Sequence, residues 1–154
     1  MKFPWNKTIF WTVPALALVL LITLIMRNPT NVACTSPDHA DPGLRTRQYP
    51  RTAGLSDIRQ VAEETISDLK TYGRRWRLRE AGQITPPDSI LTIKAEVPVL
   101  VFTDDLEVTI KTSGDGRYWL VDVRSASRTG KSDLGENRRH VRQLIRALDK
   151  KLLQ

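Results

Sequence analysis

The chain has 154 residues, 40% of them hydrophobic, one cysteine and a formal net charge of +7. That length holds about one domain, and a single thiol excludes an internal disulfide framework. Charge gathers at the ends: the first 27 residues carry +3, the segment from Arg124 onward carries +6, and the part between carries −2.

Residues 1–8 read as an N-terminal tail. Ile9 to Met26 then run for 18 residues without a charge. At ~1.5 Å per residue this run spans about 27 Å, near the ~30 Å hydrocarbon core of a bilayer. A helix meets its backbone hydrogen bonds internally and can therefore cross. Residues 9–26 are predicted to be a transmembrane helix, with the lipid bilayer as partner. Trp5 and Trp11 bracket one side, where amphipathic rings settle, and Pro14 lies one turn in. A cleaved signal peptide would have a shorter core followed by small residues, but Arg27-Asn28-Pro29 follows here. Val32-Ala33-Cys34 is similar to the tail of a lipobox, yet Asn31 stands where an aliphatic residue belongs. An uncleaved anchor is the favoured reading. Lys2 and Lys7 precede the span, so the positive-inside rule places the N-terminus in the cytoplasm and the following domain on the exported side.

Residues 27–54, with Pro29, Pro37, Pro42, Pro50, Gly43 and Gly54, read as a linker that buries little surface of its own. Ile58, Val61, Ala62, Thr65, Ile66 and Leu69 follow helical spacing. Asp57 is the expected N-cap with Gln60 as its capping-box partner, and Gly73 the expected stop. Trp76 and Leu78 alternate with arginines as a short strand. Pro86-Pro87-Asp88 breaks the chain. Ile90 to Val97 is rich in β-formers, and Pro98 should end that strand or place it at an edge. Leu106, Val108 and Ile110 alternate with polar residues. Gly114 and Gly116 mark a hairpin loop, and Trp119, Val121 and Val123 face one way on the last strand. The final helix is expected from Leu134, with Asp133 as cap, Glu136 returning the hydrogen bond, and an apolar stripe of Leu134, Val141, Leu144, Ile145, Leu148 and Leu152. Residues 55–154 are thus expected to form an α+β domain, an antiparallel sheet of three to four strands with two helices packed on one face.

Asp104 and Asp105 sit together near a strand start. Alternation sends them to opposite faces, so they do not chelate one metal. His39 and His140 are isolated and nothing has metal-ligand spacing, so neither a metal nor another cofactor is expected. One of the two aspartates is expected to pair with an arginine of the 124–138 loop, whose planar fork suits a carboxylate. Arg124, Ser125, Ser127 and Arg128 end the last strand, just before the final helix. Free N–H groups at that helix start, ringed by arginine and serine, suit an anion. Asp133 would compete for those same donors, and arginines that merely tie loop to sheet are the commoner arrangement. Catalysis by a serine nucleophile lacks an elbow motif and a nearby base. His140 is expected at the surface, and Cys34 with His39 reads as a spare thiol more than as a nucleophile. The basic final helix suits anionic lipid head groups if tethered near a bilayer, although a solvated face is the commoner origin of such charge. Nucleic acid is not expected, because aromatics do not interleave with the basic residues.

The run Arg124-Ser125-Ala126-Ser127-Arg128-Thr129-Gly130-Lys131-Ser132-Asp133-Leu134-Gly135-Glu136-Asn137-Arg138 resembles the signature Arg-Ser-x-Ser-Arg-x-Gly-x-x-Asp-x-Gly-x-Asn-Arg of the family called domain of unknown function 1499. Val101-Phe102-Thr103-Asp104-Asp105 resembles its other hallmark, an aromatic shortly before Asp-Asp. The resemblance covers about residues 50–154. Cys34 to His39 is similar to a Cys-Pro-x-Ser-Pro-Asn-Cys segment of family members, with His39 in place of the second cysteine and the spacing one residue short. The resemblance implies a domain and no mechanism. Its site candidates are Asp104, Asp105, Arg124, Ser125, Ser127, Arg128, Asp133, Asn137 and Arg138. The combined expectation is a single-pass protein of a bacterial inner membrane with a periplasmic domain. It would act as a non-enzymatic, envelope-associated module binding an anionic group or partner. The alternative is a hydrolase acting on an anionic envelope substrate.

Overall fold

The computed structural model describes residues 7–27, 30–52, 54–85, 90–130 and 132–153, with backbone alone at 7–10, 27, 81 and 83–85. The break at Pro86-Pro87-Asp88 and residues 1–6 of the tail, with Trp5, lie outside the described residues. Lys7 and Thr8, expected in the tail, already belong to helix α1 (Lys7–Arg27), which contains Pro14. Val13, Leu16, Leu18 and Met26 on this helix are exposed. Its described side chains run from residue 11 to residue 26, and among the described residues no helix is long and apolar enough to cross a membrane.

The rest of the described chain is α+β. Strands β1 (Val32–Cys34) and β2 (Arg47–Pro50) come first, then α2 (Leu55–Asp68) and the short pair β3 (Lys70–Thr71) and β4 (Arg74–Arg75). The long strands β5 (Arg77–Thr85), β6 (Ile90–Val99), β7 (Phe102–Thr112) and β8 (Tyr118–Ser127) lead into α3 (Glu136–Leu152). The main sheet runs β1-β8-β7-β6-β5, and β2 pairs with the other half of β8. All these pairings are antiparallel. The sheet therefore has six strands rather than three to four, and β3–β4 form a separate ribbon.

The two extra strands correct the reading of residues 27–54 as a linker. That segment buries Leu44 and Tyr49, too few apolar positions to show a period. Polar side chains hold it instead: Thr35 and Thr46 both donate to Asp122 Oδ1, at 2.9 and 2.5 Å, and Tyr49 donates to Asp149 of α3 at 2.8 Å. Pro98 stays inside β6, but β5 pairing stops at Arg77↔Glu96. Beyond that point β6 is an edge, where a missing N–H costs nothing.

Alternation puts Ile93, Ala95 and Val97 of β6, Leu106, Val108 and Ile110 of β7, and Trp119, Val121 and Val123 of β8 in one core with α2 and α3. From the helices come Ile58, Ala62 and Ile66, and Val141, Leu144, Ile145 and Leu148. Both helix starts differ from expectation. Gly54 is the N-cap of α2, and Asp57 sits three residues on, its carboxylate accepting the Gly54 N–H at 2.9 Å. Helix α2 ends before Gly73, which takes φ 77° in the β3–β4 turn. Helix α3 begins after Gly135 at φ 90°. Leu134, expected in its apolar stripe, is exposed with φ 54°.

Candidate functional site

The β7–β8 register pairs Asp104 with Ser127, Asp105 with Ala126 and Glu107 with Arg124. Because neighbours on a strand point oppositely, the sequence-derived candidates separate onto two faces of the sheet.

On the face away from the helices, Arg128 Nη2 reaches Asp105 Oδ1 at 2.5 Å and Glu96 Oε1 at 2.7 Å. Arg77 and Arg79 also pair with Glu96, at 3.1 and 3.3 Å. The Arg128 hydrogen bonds hold both Asp105 and Glu96 below the ordinary carboxylate range. Glu96 is the buried hub of this cluster, and the motif reading missed it. The available signal was its place on β6, in the same alternation as Lys94. Arg128 is thus engaged by the protein's own carboxylates, while Arg124 is exposed beside it.

Under α3 the arrangement differs. Asn137, fully buried, donates through Nδ2 to Asn31 O at 2.8 Å and Ser127 Oγ at 2.9 Å, and its Oδ1 accepts from Ser125 Oγ at 2.6 Å. Every polar atom of its amide is used, and Asn137 ties α3, β8 and the start of β1 together. Asp133 accepts from the N–H groups of Gly135 and Asn137 at 2.9 and 2.7 Å. The start of α3 therefore carries its own carboxylate, and the anion site expected there is filled from within.

His140 corrects another expectation: it is fully buried. Its ring stands edge-on to Trp76, with centroids 5.8 Å apart. Nδ1 lies 3.5 Å from Ser125 Oγ and 3.6 Å from Asp104 Oδ2, and Nε2 lies 3.6 Å from Glu136 Oε2. These separations are too long for strong hydrogen bonds. Burial, with Arg139 nearby, pulls the imidazole pKa down to about 4. Asp104 shifts the other way. Burial raises its pKa against a hydrogen bond from Ser127, and the charges of Asp133, Glu136 and Asp105 add to the rise. Asp104 Oδ2 and His140 Nε2 are buried atoms without a hydrogen-bond partner among the described residues.

Asp104 lines a pocket of about 270 Å³ with Ser127, Thr129, Ser132, Asp133 and Glu136, under a rim of Tyr72, Val99, Leu100, Phe102 and Leu134. Among the described residues, its lining contains three carboxylates and no basic residue. Among the described residues, the non-glycine positions with left-handed backbone are Tyr72 at φ 51°, Leu100 at φ 46° and Leu134 at φ 54°. All three stand on this rim. Each such residue costs about 1 kcal/mol, and strain of this kind gathers at ligand sites. An apolar rim over a buried carboxylate and a few half-buried polar groups is the ordinary build of a small-molecule pocket.

Two other hollows border α3. Cys34, His39, Asp133 and Arg138 help line one of about 220 Å³, where His39 Nδ1 accepts the Asp41 N–H at 3.0 Å. Arg138, Arg139, Arg142 and Arg146 line an open groove of about 760 Å³ along the helix; in it Arg142 pairs with Asp41 and Arg139 with Glu136. Among the described residues, no three His, Cys, Asp or Glu side chains are grouped to hold a metal ion.

The structure thus brings Asp104, Ser127 and Asp133 to one pocket, with Ser125 and Asn137 packed behind it. Asp105, Arg124 and Arg128 lie across the sheet, and Arg138 lies on the outer surface of α3. No curated protein and no solved structure matches the chain. A family model does match, over residues 22–148, and it takes in β1 and β2 as well as the motif that builds this pocket. The chain belongs to the family described as Protein of unknown function (DUF1499).

Proposed function

We propose that the protein is a membrane-anchored binding module whose ligand enters the pocket above Asp104. The observation that carries this reading is convergence: three left-handed non-glycine residues stand round one hollow lined by Asp104, whose Oδ2 is buried with no hydrogen-bond partner among the described residues. The lining chemistry favours a small ligand with an apolar body and a cationic or hydrogen-bond-donating head. A carboxylate or phosphate entering the pocket would face Asp104, Asp133 and Glu136 at once. An anionic ligand, expected from the arginine-rich motif, loses support because Asp133 fills the helix start and Arg128 is held by Asp105 and Glu96.

The anchor reading rests on α1. Its leucines, isoleucines and valines are exposed all round, and a helix apolar on every side needs a non-aqueous surrounding. With the N-terminus cytoplasmic, the domain lies on the exported side of an inner membrane.

A second reading, hydrolysis of an amphiphile, draws on Asp104 alone, since burial favours the protonated carboxyl that a general acid requires. Ser125 does not serve it as a nucleophile, because it is fully buried.

The full chain, reconstituted in lipid nanodiscs, tests the binding reading with octylamine and octanoate as matched probes. Octylamine at saturation should raise the melting temperature of the domain, and octanoate should leave it unchanged. Equal protection by both, or by octanoate alone, would overturn the preference for a cation.

A further inference from the structure

The rim of the pocket is also the most apolar part of the described domain surface. The β6–β7 turn presents Leu100, Val101 and Phe102, with Val101 86% and Leu100 63% exposed. Tyr72 and Leu134 are exposed beside it. A run of leucine, valine and phenylalanine at a hairpin tip is where polar residues would ordinarily stand, and an exposed apolar patch of this kind marks an interaction surface.

Arginines border the patch. Arg74 Nη1 donates to Leu100 O at 2.9 Å, the Arg139 guanidinium lies 4.9 Å from the centre of the Tyr72 ring, and Arg138 shares a groove with Leu134. Apolar and aromatic side chains ringed by guanidinium groups suit the boundary between acyl chains and anionic head groups.

The path of the chain points the same way. Asn31 is fixed at the tip end of the sheet: its carbonyl accepts from Ser127 N at 2.9 Å and from Asn137 Nδ2 at 2.8 Å, and its side chain donates to Gly130 O at 2.9 Å. Ser127 and Thr129 line the pocket together with Leu100 and Phe102. Arg27, the last residue of α1, precedes Asn31 by four positions, a reach of at most roughly 14 Å. The opposite end of the sheet, at the Ser113–Gly116 turn, faces away from that attachment.

We infer that the tip of the β6–β7 hairpin, with Tyr72 and Leu134, seats in the head-group region of an anionic bilayer, so that the pocket above Asp104 opens toward lipid. This rests on the reading of α1 as an anchor and narrows the ligand to molecules that partition into a membrane.

Spin labels test it in the full chain reconstituted in vesicles. Cys34 is first replaced by serine, and single cysteines are then placed at Val101, at Asp115 in the opposite turn, and at Val19 within α1. In phosphatidylglycerol-containing vesicles, the ratio of oxygen to water-soluble nickel-complex accessibility at position 101 should exceed that at position 115 several-fold, and it should fall in phosphatidylcholine alone. A label at 101 as open to nickel as the one at 115 overturns the proposal. A label at 101 shielded from both reagents, with dipolar broadening between copies, assigns the patch to a second copy and overturns it equally. Position 19 separates the two readings: lipid-exposed there but water-exposed at 101 leaves the anchor standing and removes the docking surface.

Discussion

Replacing Asn137 by alanine should destabilise the domain by about 3 kcal/mol, since it strips partners from several buried polar groups that cost about 1–3 kcal/mol each when left unsatisfied. Ser125 Oγ loses its 2.6 Å acceptor and Ser127 Oγ its 2.9 Å donor, and the carbonyl of Asn31 loses a donor as well. Ser125 is fully buried under α3, so solvent does not replace its lost bond, whereas Ser127 is half-buried at the pocket. A denaturant titration of the full chain in detergent, followed by the fluorescence of Trp76 and Trp119, measures the loss. A change below about 1 kcal/mol, the net worth of one ordinary hydrogen bond, would mean that Asn137 is not the junction of α3, β8 and β1.

Acidification should destabilise the domain through His140, with Asp104, whose raised pKa stabilises the fold as pH falls, opposing it. Burial lowers the His140 pKa from the ordinary 6.5 to about 4. The unfolded chain therefore binds a proton between those values while the folded chain does not, and stability falls as pH drops from about 6.5 toward 4. A shift of that size corresponds to about 3 kcal/mol at its full extent. Glu96 and Asp105 are held below the carboxylate range by Arg128, so their contributions fade only at lower pH. The groups facing the imidazole are Asp104, Glu136, Asp133 and Arg139. Stability measured from pH 7 to pH 4.5 should slope downward in the parent chain and lose that downward slope in His140→Gln, where Asp104 alone leaves a flat or rising profile on acidification. An unchanged slope would place the titrating group elsewhere.

Much of the domain was legible because strand and helix periods are strong. Leu106, Val108 and Ile110 announced the inner face of β7, and the same alternation sends Asp104 and Asp105 to opposite sides. The helical spacing of Val141, Leu144, Ile145 and Leu148 gave α3. One turn earlier, that spacing also places Asn137 and His140 on the buried face, at four residues before Val141 and Leu144. Polarity argued for the surface, but hydrogen bonding to Ser125, Ser127 and Asn31 outweighed it for Asn137, and loss of the proton outweighed it for His140. Strands β1 and β2 left little periodic trace, since a three-residue and a four-residue strand at an edge offer few positions to repeat. The pocket was hidden for a different reason. Its rim depends on left-handed backbone at Tyr72, Leu100 and Leu134, residue types that rarely adopt it and give no local signal. The arginine-rich motif drew attention to its charges, whereas much of that motif holds the loop and helix start in place around Asp104.

Titration of octylamine into Asp104→Asn, beside the parent chain, reads the pocket most directly. Asparagine keeps an acceptor for the Ser127 hydroxyl and removes a carboxylate that burial disfavours, so the melting temperature should hold or rise. Octylamine affinity should drop by at least about tenfold, equivalent to about 1.4 kcal/mol. Unchanged affinity in a fully folded Asp104→Asn protein would contradict the assignment of this pocket as a site for a cationic ligand.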